Sequence, residues 1–203
     1  MGKKIVFACL AFLVYGVASA QNDSIKKAPE GLKEDWTFRG YLVYPIQFGD
    51  HSLADAHSAN PGLGLTLGAF SYRNFSLFAG CEFLQYKVTD YTKIGNIDRT
   101  NYSAFFGTIV YKLAVSKKIE LYPDLGLGYV VLKQRSDGRK FGHQDGTEVR
   151  LGFTANYRVS KKTSFFIGAH YIYNTFEIAT NEAYRDYFGK ANQLQVSAGI
   201  QLD

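Results

Sequence analysis

Between residues 147 and 159 the chain reads TEVRLGFTANYRV and alternates with a strict period of two. Val149, Leu151, Phe153, Ala155, Tyr157 and Val159 fall on one side, Glu148, Arg150, Gly152, Thr154, Asn156 and Arg158 on the other. Side chains of a β-strand point alternately to its two faces, so this pattern predicts a strand with one apolar and one polar face. Seven more stretches alternate in the same way: 37–49, 62–72, 75–89, 101–115, 119–133, 163–176 and 191–202. Some residues break the phase. Leu84, Val88, Phe106 and Val110 fall out of step with the apolar rows of their segments, and Pro45 interrupts the first.

The connections alternate in length. Three are tight, at 73–74, 116–118 and 160–162, and four are long and polar, at 50–60, 90–100, 134–146 and 179–190. In an up-and-down meander of eight strands this collects the tight turns at one end and the long loops at the other, as expected of a membrane barrel with periplasmic turns and extracellular loops. The predicted fold is all-β, an eight-stranded antiparallel up-and-down transmembrane β-barrel.

The choice of face follows from volume. With the apolar rows inward the product would be a soluble barrel with a greasy cavity, but eight strands enclose too little space for Phe, Tyr and Leu from every strand. With the apolar rows outward, the small residues of the polar rows, among them Gly64, Gly68, Gly80, Gly126, Gly128 and Gly152, line a narrow lumen. Strands of about 10 residues then present an apolar band ~25 Å tall to lipid. Phe75 and Tyr157 near the tight turns, and Phe48, Tyr129 and Tyr173 near the long loops, fit the aromatic girdles of such a band.

The amino terminus supplies the address. Lys3 and Lys4 precede an apolar run from Ile5 to Val14 and then Ala18-Ser19-Ala20, the layout of a secretory signal peptide ending at residue 20. The run is shorter than the ~18 residues a spanning helix needs. Residues 21–36 are polar, show neither period and read as a flexible periplasmic lead-in, with Trp36 as an interfacial anchor. The barrel is predicted over 37–203, with no periplasmic domain after it. Loss of Lys3 and Lys4 lowers the formal charge from +5 to +3, spread along the chain, which argues against a nucleic-acid partner. One cysteine, Cys81, remains after cleavage, so no internal disulfide is expected.

This architecture resembles the eight-stranded outer-membrane barrels typified by OmpX and the membrane domain of OmpA. The resemblance covers residues 37–202 and the signal peptide, and rests on architecture rather than on a fingerprint motif. It implies an outer-membrane location, a lipid and lipopolysaccharide environment, insertion by the barrel-assembly machinery and a monomer. The chain departs from it in ending Gln201-Leu202-Asp203, where those families carry a terminal aromatic, which implies a variant assembly signal.

Candidate chemistry is sparse. His51 and His57 share the first long loop with Asp50, Asp55 and Ser58, and His143 shares the third with Ser136, Asp137 and Asp145. Polar loops contain such residues without catalysis, and Ile172 stands where a lipid-modifying His-x-Ser site would place serine after His170. No enzyme activity, metal or cofactor is expected. The inferred lumen charges are Arg39, Lys112, Arg150 and Arg158 against Glu82, Glu120, Asp124 and Glu148. Because the turn at 116–118 brings Lys112 towards Glu120, and Arg158 returns to the same end, Lys112, Glu120, Asp124 and Arg158 are expected to form a cluster plugging the periplasmic half of the lumen. A plugged barrel acts as a structural or surface-interaction protein through its loops. The alternative is a small-solute pore, with a loop hydrolase as a remote third.

Overall fold

The computed structural model describes residues 31–178 and 181–203. The predicted signal peptide and the lead-in as far as residue 30 lie outside these residues.

Eight long strands follow one another in antiparallel hairpins: β1 (Leu32–Gln47), β3 (Gly62–Tyr72), β4 (Phe75–Val88), β5 (Arg99–Tyr111), β7 (Ile119–Ser136), β8 (Arg139–Arg158), β9 (Thr163–Glu177) and β10 (Lys190–Leu202). Two short strands supplement them. β2 (His57–Ala59) pairs with β4 above β3, and β6 (Leu113–Ala114) pairs with β7. The sheet closes when β10 pairs with β1, from Phe38 opposite Leu202 to Gln47 opposite Gln193. Closure leaves the long strands without an unpaired edge, the condition for strands to cross lipid.

Outward positions are those of the apolar rows. Leu42, Leu63, Leu127, Leu151 and Ile167 are all more than half exposed. An apolar belt of this extent far exceeds the patches a water-soluble monomer tolerates, and lipid is the solvent that suits it. Aromatic pairs mark both rims: Phe75 with Tyr111 near the tight turns, ring centres 4.9 Å apart, and Phe48 with Tyr171 near the long loops, 6.0 Å apart.

The tight turns are built locally. In Val115–Ile119 and again in Val159–Thr163 the sequence runs Val-Ser-Lys-Lys, and the serine hydroxyl oxygen of each accepts a main-chain N–H two residues on, from Lys118 at 3.3 Å and from Lys162 at 3.2 Å. The third, at Arg73-Asn74, places Arg73 at a φ of 54°.

Two boundaries differ from expectation. β1 starts at Leu32 rather than Thr37, pairing Leu32–Glu34 with Phe70–Tyr72 and then slipping register before Thr37. That irregularity breaks the period of two, which is why the segment reads as irregular in sequence. The stretch 134–146, expected as a polar loop, is the end of a long hairpin closed by Asp137-Gly138, both with positive φ (48° and 74°). An Asp-Gly pair of this kind matches the twist of two strands, and a hairpin that has left the membrane needs no apolar row to remain a hairpin. The other long connections fold too, into short helices α1 (Ser52–Asp55), α2 (Tyr91–Ile94) and α3 (Glu182–Gly189).

Trypsin added to intact cells is therefore expected to cut first among the exposed basic residues of the long connections, such as Arg139 and Arg185, and to spare Lys161-Lys162. First cleavage at Lys161-Lys162 would invert the topology.

Candidate functional site: the barrel lumen

Several glycines of the inward rows seat a large neighbour. A side chain at Gly64 would collide with the Tyr41 ring, one at Gly80 with Phe106 and one at Gly128 with Glu148. The lumen is therefore filled by big side chains set against glycine, rather than by small residues alone. Phe78, Tyr86, Tyr102, Phe106, Tyr122 and Phe166 are all buried inside it.

At mid-depth Arg150 on β8 is the hub. Its Nη1 and Nη2 donate to the two carboxylate oxygens of Glu82 on β4, at 3.2 and 3.1 Å, and its Nε donates to Glu148 Oε1 at 2.9 Å. The planar fork suits two-point binding of a carboxylate. Each carboxylate also accepts a tyrosine O–H, Glu82 from Tyr41 and Glu148 from Tyr102, both at 2.8 Å. Beneath the guanidinium lies the Phe106 ring, 3.4 Å from Cζ. The two acids and the arginine are at most 3% exposed. Neutral groups extend the network: Tyr102 bonds Asn174 at 3.2 Å, and Tyr86 and Gln47 both donate to Gln193 Oε1, at 2.9 and 2.7 Å. Strands β1, β4, β5, β8, β9 and β10 are thereby tied across the barrel axis.

Towards the tight turns, Arg39 donates from Nε to Gln201 Oε1 at 2.8 Å and lies between the rings of Phe78, Tyr122 and Phe166, 4.5 to 5.6 Å from their centres. Gln201 also accepts from Asn156 at 2.6 Å, and its amide donates to Asp203, which accepts a second bond from Thr37. A cavity of about 30 Å³ separates this layer from the Arg150 layer. Its walls include Arg39, Thr66, Asp124 and Gln195, each with a polar side-chain atom that has no protein hydrogen-bond partner, so the space suits a water molecule.

The expected periplasmic cluster is divided. Arg158 Nη2 bonds Glu120, whose other oxygen accepts from Tyr122 Oη at 2.6 Å, while Asp124 faces His170 Nε2 at 3.0 Å. Glu120 and Asp124 sit four residues apart on β7, about 13 Å at ~3.3 Å per residue, so one cation cannot serve both. Tyr122, buried between them, fills the intervening depth. Lys112 follows the last residue of β5, where its main-chain N–H donates to Asn74 at 2.7 Å. The Arg158–Glu120 pair is partly exposed and contributes ~0–1 kcal/mol. Of the residues grouped only as further lumen charges, Glu82, Glu148 and Arg150 meet at mid-depth, and Arg39 lies in the layer nearer the tight turns. Tyr41, Tyr102, Phe106 and His170 join these groups in the lumen, and their common signal in the sequence is inward parity.

The long-loop half of the lumen also holds an apolar cluster beside the Gln47–Gln193–Tyr86 bonds. Val43, Leu84, Tyr86, Val130 and Leu132 form one buried cluster that also takes in Leu53 of α1. The first long loop thus folds down into the mouth. His51, 2% exposed, pins it: Nδ1 accepts the Ala54 N–H at 3.2 Å, and Nε2 lies 3.0 Å from the Phe48 carbonyl oxygen, 3.2 Å from that of Asn192 and 3.1 Å from the Asn192 main-chain nitrogen. His57 bonds Ser52 O and Thr100 Oγ1, both at 2.9 Å.

Burial lowers the pKa of His51 below its usual 6.5, outweighing the bonds to Asn192 and Phe48 and the pull of Asp55 and Asp50. Burial lowers that of His57 as well. A base whose pKa is depressed on closing takes up fewer protons closed than open, so closure is at full strength above pH 6.5 and weakens as the pH falls below it. Amide exchange around Leu53, corrected for intrinsic rates, should be faster at pH 5 than at pH 7.5; equal protection would refute the coupling.

Neither a protein-family model nor a curated protein matches the chain. Its fold, however, matches solved structures. Neisserial surface protein A superposes with a TM-score of 0.52 at 13% identity, over 85% of this chain and 99% of that one. OprG from Pseudomonas aeruginosa gives 0.53 at 13% identity, over 85% and 97%. A major outer membrane protein from Thermus thermophilus gives 0.52 at 12% identity, over 82% and 99%. The closed ring of eight strands, the apolar belt and these likenesses agree, and the chain is a transmembrane β-barrel with the fold of the small OmpA- and OmpX-like outer-membrane barrels.

Proposed function

We propose that the protein is a non-conducting outer-membrane barrel that works as a structural and surface-interaction element through the parts it raises above the membrane. The observation that carries this reading is the Glu82–Arg150–Glu148 bridge across the barrel axis, closed above by Leu53 and its apolar cluster. A solute would have to break a buried ion-pair network and also unseat α1. The protruding β7–β8 hairpin and helices α2 and α3 give the barrel a folded outer surface, and Neisserial surface protein A, by its name a surface protein, shares the fold. Insertion by the barrel-assembly machinery and a monomeric state belong to the same reading. A structural role for the histidines of the first loop fits as well, since the ring nitrogens of His51 and His57 are engaged within the fold.

The test is conductance. Wild-type protein in a planar bilayer should show no steady ion current. A large, steady current would overturn this reading in favour of small-solute transport.

A further inference from the structure

Where the barrel leaves the lipid belt on the long-loop side, the strand registers bring basic residues into a row. Lys87 on β4 lies opposite Arg99 on β5, Arg99 opposite Arg135 on β7, and Arg135 opposite Lys140 on β8. All four are exposed, and Lys87, Arg99 and Arg135 fall in the outward phase of their strands. Lys133, two residues nearer the membrane on β7, and Arg139 at the hairpin end extend the patch. Three interstrand gaps of ~4.8 Å make the row about 14 Å wide.

Like charges directly opposite one another on neighbouring strands repel and destabilise the pairing. Among the described residues, none of these six side chains lies in an ion pair with a carboxylate. The nearby acids are engaged elsewhere: Asp98 accepts the main-chain N–H of Asp137, and Asp145 accepts the Tyr129 hydroxyl at 3.0 Å with His143 3.8 Å away. The remainder of the long-loop rim differs, for Lys190 is paired with Asp186 at 2.7 Å.

Position identifies the anion. Lys133 follows the outward Val131 by two residues on β7, and Lys87 follows the outward Phe83 by four on β4. At ~3.3 Å per residue along tilted strands, those ammonium groups fall at the headgroup layer flanking the hydrocarbon core, within reach of long, flexible side chains. Phe141, 59% exposed beside Lys140, adds an apolar anchor to the patch.

We infer that the Lys87–Arg99–Arg135–Lys140 row is a binding site for the phosphorylated headgroup of an outer-leaflet glycolipid. Several phosphates side by side suit a row of four cations better than a single one does, and arginine binds phosphate oxygens in pairs. The site lies on the barrel's outer surface and is independent of the lumen.

The full-length mature protein, refolded in phosphatidylcholine vesicles containing a small fraction of bisphosphorylated lipid A, gives the test. The affinity for fluorescently labelled lipid A should fall by about tenfold or more in the Lys87→Gln/Arg99→Gln/Arg135→Gln/Lys140→Gln variant, the loss expected when even one or two charge-assisted bonds go. Added salt should weaken wild-type binding and hardly affect the variant. In phosphatidylcholine alone the variant should unfold no earlier than wild type, because it has lost only repulsion; if it does not refold, the Lys87→Gln/Arg99→Gln variant serves, with Lys161→Gln/Lys162→Gln at the opposite rim as the control that should bind normally. Equal affinity of wild type and variant, equal binding of dephosphorylated lipid A, or displacement by inorganic pyrophosphate as effective as by lipid A would each overturn the assignment, the last by making free phosphate the ligand.

Discussion

Arg150→Met is expected to destabilise the folded barrel by about 3–5 kcal/mol, the cost of leaving buried charges without their partner. Two carboxylates, Glu82 and Glu148, converge on this one guanidinium, and both are at most 2% exposed. Without it they face each other in a medium that solvates neither. Arg150→Lys should recover only part of the loss, because a single ammonium cannot reproduce the two bonds to Glu82 and the third to Glu148. The discriminating variant removes all three charges, Glu82→Gln/Arg150→Met/Glu148→Gln. Replacing an entire buried ionic group with neutral residues of similar volume is often close to neutral, so the triple variant should be markedly more stable than the single one. Urea unfolding in lipid vesicles, followed by the fluorescence of Trp36, the single tryptophan, and by gel mobility, measures both. A single variant as stable as wild type, or a triple variant less stable than the single, would contradict the role of Arg150 as the hub.

Leu151→Arg should cost about 2–4 kcal/mol in the same assay, because an outward cation near the bilayer midplane must be drawn out of hydrocarbon or hydrated within it. Phe141→Arg is the matched control. Leu151 and Phe141 are exposed to the same degree, 58% and 59%, and lie on the same strand, β8. Burial within the protein therefore cannot distinguish them, and only the surrounding solvent can. Phe141 belongs to the part of the hairpin beyond the apolar belt, where a cation costs ~0–1 kcal/mol. Equal losses at the two positions would remove lipid from the account of the outer belt.

The architecture is legible because a strand writes its two faces into alternate residues. Val149, Leu151 and Phe153 against Glu148, Arg150 and Gly152 state both the strand and its polarity, and the alternation of tight and long connections states the meander. Where structure and sequence pattern part, the period is interrupted or the chain changes solvent. Slippage between Glu34 and Thr37 hides the first turns of β1, and departure from lipid removes the apolar row that would have marked 134–146 as a hairpin. Leu84, Val88, Phe106 and Val110, which break the apolar phase of their segments, are inward residues that pack the lumen.

The lumen shows the limit. That Arg39, Glu82, Glu148 and Arg150 face inward follows from parity along each strand, a local property. Which of them meet depends on the relative depth of strands distant in sequence: Glu82 and Arg150 are 68 residues apart and come together only through the stagger of the closed sheet. Equal depth on neighbouring strands brings Arg158 to Glu120, because β7 and β8 pair along their whole length. It could not place Asp124 beside His170 two strands away, nor draw Leu53 of the first loop into the mouth against Leu84 and Leu132. The sequence by itself determined the strands and their two faces, because each is fixed by neighbours two residues apart, and the small volume inside eight strands then selected the face that meets lipid. The tertiary structure alone decided which inward residues meet in the lumen and which cations line up on the rim, because those depend on register, which sums over every strand in the ring.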